Sequence, residues 1–178
     1  MTLDPRLQEA VNAHNQGRLD SAESGYRSWL TANPRDAFAL HQLGIIGLQR
    51  GRPDLALSFL EAAVSVDSSN ATAIQHWGDA LSGLRRHIEA EQIYRRGLSI
   101  DSKHINLRVH LGNALRAQDR FAEAEHAYRE VLAQEPAMAR AHSNLGHVLA
   151  DLPWEGHASS CPGPYPAQQR RPFHIRSL

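Results

Sequence analysis

Apolar positions along this chain follow a helical spacing that returns every 34 residues. The glycines that mark the four copies are Gly44, Gly78, Gly112 and Gly146. A large apolar residue stands directly before each glycine, and in three of the copies a leucine follows after three positions. Because spacings of three and four residues place side chains on one face of a helix, each copy predicts a helix with an apolar face.

A second helix is predicted in each unit after a short turn such as the one at 51–54. Its signature is an alanine followed by a large side chain four positions later: Ala22 and Tyr26, Ala56 and Leu60, Ala90 and Tyr94, Ala124 and Tyr128. A glycine in the middle of a helix costs about 0.5–1 kcal/mol relative to alanine, so close packing of the two helices is the expected compensation. Each unit is therefore predicted to be a helical hairpin.

Prolines and capping residues mark the ends of the units. Pro34 and Pro136 stop the helices before them, while Asp36 and Asn70 are placed to cap the helices that follow. Asp4 precedes a proline and indicates the start of the first helix. The predicted array covers 3–152, with units at 3–36, 37–70, 71–104 and 105–138 and a partial unit at 139–152.

These positions resemble the tetratricopeptide repeat family. The pair Leu43-Gly44 matches the signature of that family's first helix, and Ala124 with Tyr128 matches its second. The resemblance extends over the whole of 3–152. It implies an all-α fold, a right-handed superhelical solenoid of tetratricopeptide helical hairpins, with four repeats and one further helix.

The resemblance also implies where a ligand would lie. In the family, the first helices line a concave groove that usually holds an extended peptide, and the residue before each Leu-Gly pair points into it. The matching residues here are Gln8, Gln42, His76, His110 and Asn144. Neighbouring groove positions are His41, Gln75, Asp79, Asn113 and Arg116.

This row of polar residues is similar to the asparagine ladder in the repeat arm of O-linked N-acetylglucosamine transferase-like bacterial proteins. An amide suits that role because it offers both donors and an acceptor to a peptide backbone. Only Asn144 has the residue type of the ladder. The alternative is that a solvated groove is lined by polar residues without any contact to a ligand, and both interpretations remain open.

Charge and cysteine content narrow the class of protein. Lys plus Arg and Asp plus Glu are equal at 19 each, so there is no single-signed field to attract nucleic acid or an anionic membrane. No stretch approaches the roughly 20 apolar residues of a membrane span. The single cysteine, Cys161, fits a reducing compartment. We therefore expect a cytoplasmic protein with neither nucleic-acid nor membrane partners.

The eleven histidines carry no metal or catalytic motif. His76 and His110 stand one full repeat apart, and no His-Glu-x-x-His occurs. Phosphate-binding loops, dinucleotide fingerprints and Gly-x-Ser-x-Gly elbows are also absent from the sequence. The histidines of the first helices are therefore expected to be solvated, and we predict no metal, no cofactor and no enzyme activity.

The repeat pattern stops after Leu152. Residues 153–178 are rich in proline and are expected to be disordered. Two explanations compete: the helix at 139–152 is a natural cap, or the coding frame shifts near Pro153 and a longer parent is truncated. We favour the second, because the pattern ends in full register.

The sequence as a whole predicts a scaffold that binds a protein or peptide partner in the concave groove. The alternative is the substrate-recruiting N-terminal arm of a truncated glycosyltransferase or sulfotransferase. A third interpretation is self-association through the C-terminal end of the array, where apolar surface would lack a neighbour.

Overall fold

The computed structural model describes residues 4–152, and within this range the chain forms nine α-helices and no strands. The helices are α1 (Pro5–Asn15), α2 (Leu19–Ala32), α3 (Ala37–Gln49), α4 (Pro53–Val66), α5 (Ala71–Gly83), α6 (His87–Ile100), α7 (Ile105–Arg116), α8 (Phe121–Gln134) and α9 (Ala139–Asp151). The predicted fold, an all-α right-handed superhelical solenoid of helical hairpins, is confirmed.

Helices of the array pack mainly against their neighbours in sequence. From α3 onwards, each odd-numbered helix also contacts the next odd-numbered helix, so that α3 meets α5, α5 meets α7 and α7 meets α9. Among residues 4–152 the backbones of the even-numbered helices lie farther apart, and long side chains bridge them, as where Arg27 covers the ring of Phe59 and Arg95 pairs with Glu123. The odd-numbered helices therefore form the inner layer of a curved array, and we call the side on which α3, α5, α7 and α9 face one another the inner face.

The predicted helix caps are confirmed. The side chain of Asp36 accepts a hydrogen bond from the backbone N–H of Ala39, and that of Asn70 accepts one from Ala73. Asp4 caps α1 in the same way, directly before the proline that begins the helix. These bonds satisfy donors that a helix leaves free at its first turn.

The repeated glycines lie where the two helices of a hairpin meet. A Cβ atom built on Gly112 would lie only 2.7 Å from Cε1 of Tyr128. Gly78 faces Tyr94 and Gly44 faces Leu60 with even less space, which confirms the predicted packing. At Gly146 no described atom comes within 4 Å of the same position.

Each hairpin turn contains one residue in the left-handed backbone region. Gly17 and Gly51 occupy this position in the first two hairpins, with φ of 71° and 66°. Arg85 and Asp119 occupy it in the next two, with φ of 60° and 58°. Because a side chain is strained in this region, the third and fourth hairpins have less favourable turns than the first two, and the strain is greater at Arg85 because aspartate tolerates the region better than arginine.

Two further expectations concern the C-terminal segment of the chain and whether any helix could span a membrane. The proline-rich segment 153–178, expected to be disordered, lies outside the described residues. Over 4–152, every helix is too short or too polar to cross a lipid bilayer.

Candidate functional site

Two histidines join the second repeat to the third on the inner face. Nε2 of His41 on α3 lies 2.8 Å from Nδ1 of His76 on α5, and the two rings are 5.0 Å apart at their centroids. His41 is buried and His76 is half-buried. The expectation that the first-helix histidines are solvated is therefore wrong for this pair, because each ring is covered by the packing of α3 against α5.

The third and fourth repeats are joined by a carboxylate. Oδ1 of Asp79 on α5 lies 2.6 Å from Nδ1 of His110 on α7, and it also accepts a 2.8 Å hydrogen bond from the hydroxyl of Tyr94. Gln75 donates to the other oxygen at 3.3 Å. The hydroxyl of Ser82 lies 3.2 Å from that of Tyr94. One ionisable side chain thus links α5, α6 and α7.

Between the fourth repeat and α9 the link is made by amides. Oδ1 of Asn113 on α7 accepts hydrogen bonds from Nδ2 of Asn144 at 2.9 Å and from the hydroxyl of Tyr128 at 2.7 Å. Asn113 thus occupies, one repeat later, the place that Asp79 occupies in the third repeat. Three successive interfaces therefore carry a polar pair on the inner face.

Burial sets the protonation of the histidine pair. Burial, together with a smaller effect of the charge that His76 carries when protonated, lowers the pKa of His41 to about 4. Burial also lowers the pKa of His76, with a contribution from His110 and His104, while the carboxylate of Asp79 acts in the opposite direction. Both rings are therefore neutral at pH 7, which meets the requirement of a hydrogen bond between two imidazoles that at least one ring be neutral.

The carboxylate of Asp79 stays ionised despite its partial burial. Burial by itself raises the pKa of Asp79, but hydrogen bonds from His110, Tyr94 and Gln75 outweigh it and hold the pKa below its ordinary value. Burial and the negative charge of Asp79 raise the pKa of Tyr94. Burial raises the pKa of Tyr128 to about 12, against opposing effects of Arg116 and Asn144. Both hydroxyls therefore remain protonated donors at pH 7.

A recess of about 300 Å³ opens between α5, α6 and α7 at the Asp79 cluster. Its walls are formed by the residues Asp79, Ser82, His87, Tyr94, His110, Asn113 and Ala114. Nδ1 of His87 is closed to solvent and has no hydrogen-bond partner among the described residues. The recess is the size of one large side chain and lies at the small end of the range for ligand pockets.

The structure brings seven of the ten predicted groove residues into these polar links: His41, Gln75, His76, Asp79, His110, Asn113 and Asn144. The other three stay apart from them. Gln8 is exposed and donates to Asn12 of its own helix at 3.1 Å. Gln42 and Arg116 are half-buried and take part in none of the inter-repeat links.

Tyr94 and Tyr128 were not among the predicted groove residues, because the repeat pattern places both side chains in the core. They are core residues, with 1% and 0% of their surface exposed, and their hydroxyls bond to the inner face. The repeat contained a signal for these bonds. The second unit has Leu60, which has no hydroxyl, at the position where the third and fourth units have tyrosines. A buried tyrosine needs a partner for its hydroxyl, and that partner lies on the first helix.

Across residues 4–152, no three His, Cys, Asp or Glu side chains converge in the way that a metal site requires. His41 and His76 therefore stand as a pair without a third ligand in the described part of the chain.

Comparison with known families gives matches along most of the described chain. One model described as a tetratricopeptide repeat matches residues 7–72 and 110–153. A second model with the same description matches 71–104.

Solved structures with the same fold have low sequence identity to this chain. A crystal structure of MamA protein superposes with a TM-score of 0.77 at 21% identity, covering 82% of this chain and 80% of that one. PilF of Pseudomonas aeruginosa superposes with a TM-score of 0.73 at 20% identity, covering 82% of this chain and 66% of that one. The tetratricopeptide repeat domain of Arabidopsis OM64 superposes with a TM-score of 0.63 at 22% identity, covering 65% of this chain and 96% of that one. At such identities the likeness concerns the fold alone.

One relative is more similar in sequence over a shorter stretch. The cellulose synthase operon protein C of Komagataeibacter xylinus is 36% identical over 77 residues. That stretch is 43% of this chain and 6% of the relative, so the chain matches only a small part of a much longer protein.

Proposed function

Because the chain belongs to the tetratricopeptide repeat family, whose members generally mediate protein–protein interactions, we propose that it is a scaffold that binds an extended segment of a partner protein along its inner face. The supporting observation is the row of polar pairs that runs from His41 to Asn144 across three successive repeat interfaces.

The pairs favour binding because they hold polar groups in place before a ligand arrives. Three of the inner-face side chains use one polar atom for the link between repeats and keep a second one, whereas both oxygens of Asp79 already accept hydrogen bonds. His110 uses Nδ1 and keeps Nε2, and Asn113 uses Oδ1 and keeps Nδ2. Asn144 uses Nδ2 and keeps Oδ1. A preorganised row of this kind reduces the entropy that is lost on binding.

Extended peptide is the ligand class that this row suits best. A peptide backbone offers N–H and C=O groups in alternation, and the remaining atoms of the row include both donors and acceptors. The recess of about 300 Å³ is the size of one large side chain of such a peptide.

Photo-crosslinking tests the proposal. The photoreactive residue p-benzoylphenylalanine is placed at Gln42 or Arg116 on the inner helices and, as matched controls, at the exposed Glu61 or Ser99 on the second helices. We expect a crosslinked partner from the inner positions and none from the outer ones. Equal crosslinking from both sets would reject the inner face as the binding surface.

A second candidate is that the array recruits protein substrates to a glycosyltransferase or sulfotransferase domain of a longer parent. It is favoured by the match to a small part of a much longer relative. Reading the other two frames of the gene beyond the codon for Pro153 is the first test, and a gene in which neither frame continues the repeat would remove this candidate. If a frame continues, the His76→Ala variant of the full parent should reduce modification of a client protein.

We also propose that the protein is cytoplasmic and that nucleic acid is not among its partners. The single cysteine fits the cytoplasm, and the balanced charge argues against nucleic acid as a partner. Self-association through α9 stays a prediction, and light scattering at increasing protein concentration tests it.

A further inference from the structure

The recess between α5, α6 and α7 contains a fixed pattern of donors and acceptors. Asp79 is ionised and can only accept hydrogen bonds, so His110 must carry its proton on Nδ1, the atom that faces the carboxylate at 2.6 Å. A neutral imidazole with a proton on Nδ1 has a lone pair on Nε2. In the neutral form of His110, Nε2 is therefore an acceptor that lies at the wall of the recess.

A second acceptor is the hydroxyl oxygen of Ser82. Tyr94 has one hydroxyl proton and donates it to Asp79 at 2.8 Å. The 3.2 Å contact between Ser82 and Tyr94 must therefore use the proton of Ser82. This leaves the lone pairs of the Ser82 Oγ atom available in the recess.

The donor in the recess is Asn113. Its Oδ1 accepts hydrogen bonds from Tyr128 and Asn144, both of which supply a proton, so the orientation of the amide group is determined. Nδ2 of Asn113 then carries two N–H groups that no described residue accepts. Nδ1 of His87 does not belong to this set, because it is closed to solvent.

Two acceptors and one donor complement a primary amide. The NH₂ group of an amide can donate to Nε2 of His110 and to Oγ of Ser82, and its carbonyl can accept from Nδ2 of Asn113. A carboxylate has no proton to donate and is repelled by the negative charge of Asp79. An ammonium group has no atom that could accept a hydrogen bond from Nδ2 of Asn113. An aliphatic side chain would leave all three polar atoms without partners.

We infer that this recess recognises the side-chain amide of a glutamine or asparagine in the partner segment, an inference that rests on the proposed binding of a partner along the inner face. The amide inserts between Ser82, His110 and Asn113, while Asp79 holds His110 in the accepting tautomer. The recess would thereby be specific for one side chain of the partner segment, while the other polar pairs of the inner face bind the backbone of that segment.

The first experiment uses single-residue probes on the full chain. N-acetylglutamine N-methylamide, whose side chain holds its only primary amide, is titrated while NMR follows the side-chain NH₂ of Asn113 and the imidazole of His110, with the N-acetyl N-methylamides of glutamate, lysine and leucine as comparisons. We expect saturable shifts at both residues with the glutamine probe and none with the glutamate or leucine probes. Equal shifts with all four probes, or no shift with glutamine, would overturn the inference.

The Asn113→Asp variant reverses the pattern without changing the shape of the side chain. The introduced carboxylate still accepts from Tyr128 and Asn144, but its second atom, which faces the recess, becomes an acceptor. We expect at least tenfold weaker binding of the glutamine probe and stronger binding of the lysine probe. The matched control is Gln92→Glu, the same kind of change on the exposed surface of α6, which should leave the binding of every probe unchanged.

Ser82→Ala covers the case in which Asn113→Asp does not fold. The substitution removes one acceptor without adding charge, and it should weaken the binding of the glutamine probe severalfold. If a folded Ser82→Ala protein binds the probe as well as the parent does, the inference is wrong.

A library of random dodecapeptides displayed on phage separates this inference from the proposed function. Both the inference and the proposed function are supported if the selected peptides are enriched in glutamine or asparagine at one position and no longer bind the Asn113→Asp variant. Peptides that crosslink to the inner face but are indifferent to Asn113→Asp reject the recess and keep the proposed function. If no peptide binds although the glutamine probe does, the amide site stands and the proposed function fails.

Discussion

His41 and His76 share a hydrogen bond of 2.8 Å that connects α3 to α5. In such a bond one imidazole donates and the other accepts, so at least one of the two rings must be neutral. When both are protonated, each ring nitrogen is a donor and the bond cannot form. The contact between the second and third repeats therefore depends on pH.

The free energy of unfolding should fall as the pH is lowered from about 6.5 towards 4. The pKa of His41 is about 4 in the folded chain and about 6.5 in the unfolded one, so in this window the unfolded state binds more protons. The lowered pKa of His76 acts in the same direction. Allowing for solvent screening, we expect a loss of about 1–2 kcal/mol. Urea unfolding at several pH values above 4.5, where Asp79 stays ionised, measures it.

The control for this prediction is His41→Gln, which removes one titrating ring and leaves a side chain that can still bond to His76. Its stability should change less steeply between pH 6.5 and 4.5 than that of the parent. Parallel pH profiles for the two proteins would show that the histidine pair is not the cause.

Gly112→Ala should destabilise the array, because the added Cβ would lie 2.7 Å from the buried ring of Tyr128. Overpacking of this kind costs about 1–3 kcal/mol, which exceeds the gain of about 0.5–1 kcal/mol from replacing a helical glycine. Gly146→Ala is the matched control, since no described atom lies within 4 Å of its added carbon. It should be neutral or stabilising. Chemical unfolding of both variants decides the sign.

Arg85→Gly should stabilise the protein by about 0.5–1 kcal/mol, because Arg85 has a φ of 60° that glycine adopts without strain. Asp119→Gly should gain less, since aspartate tolerates this region better. The converse change, Gly51→Ala, should destabilise the second hairpin. Melting temperatures of the three variants give the order, and a loss of stability in Arg85→Gly would show that the arginine side chain contributes more than the strain costs.

Tyr94→Phe should cost about 1.5–3 kcal/mol, because it removes a donor from the half-buried carboxylate of Asp79. The pKa of Asp79 should rise at the same time, since one of the bonds that lower it is lost. Unfolding measurements give the first quantity and NMR titration of the carboxyl carbon gives the second. Tyr128→Phe, which removes a donor from a neutral amide, is the comparison and should cost less. If the two variants lose equal stability, the charge of Asp79 has no special role.

The cross-repeat pairs could not be predicted from the period of the sequence. His41 and His76 are 35 residues apart, and Asn113 and Asn144 are 31 apart, whereas equivalent positions are 34 apart. Each pair thus joins different positions of neighbouring repeats. Which positions meet depends on the shift between two adjacent first helices, and that shift is set by the packing of whole hairpins.

The hairpins, their caps and the packing of Gly78 against Tyr94 could all be predicted from the residues alone. These features follow from local rules, because helical spacing, capping and the fit of a large side chain over a glycine involve residues of one repeat. The three-dimensional packing was needed to show that His76 and His110 bond back to the preceding repeat and that a recess with determined hydrogen-bond donors and acceptors forms beside Asp79. The reason is physical: hydrogen bonds require a particular position and orientation of two helices, and a one-dimensional period contains neither.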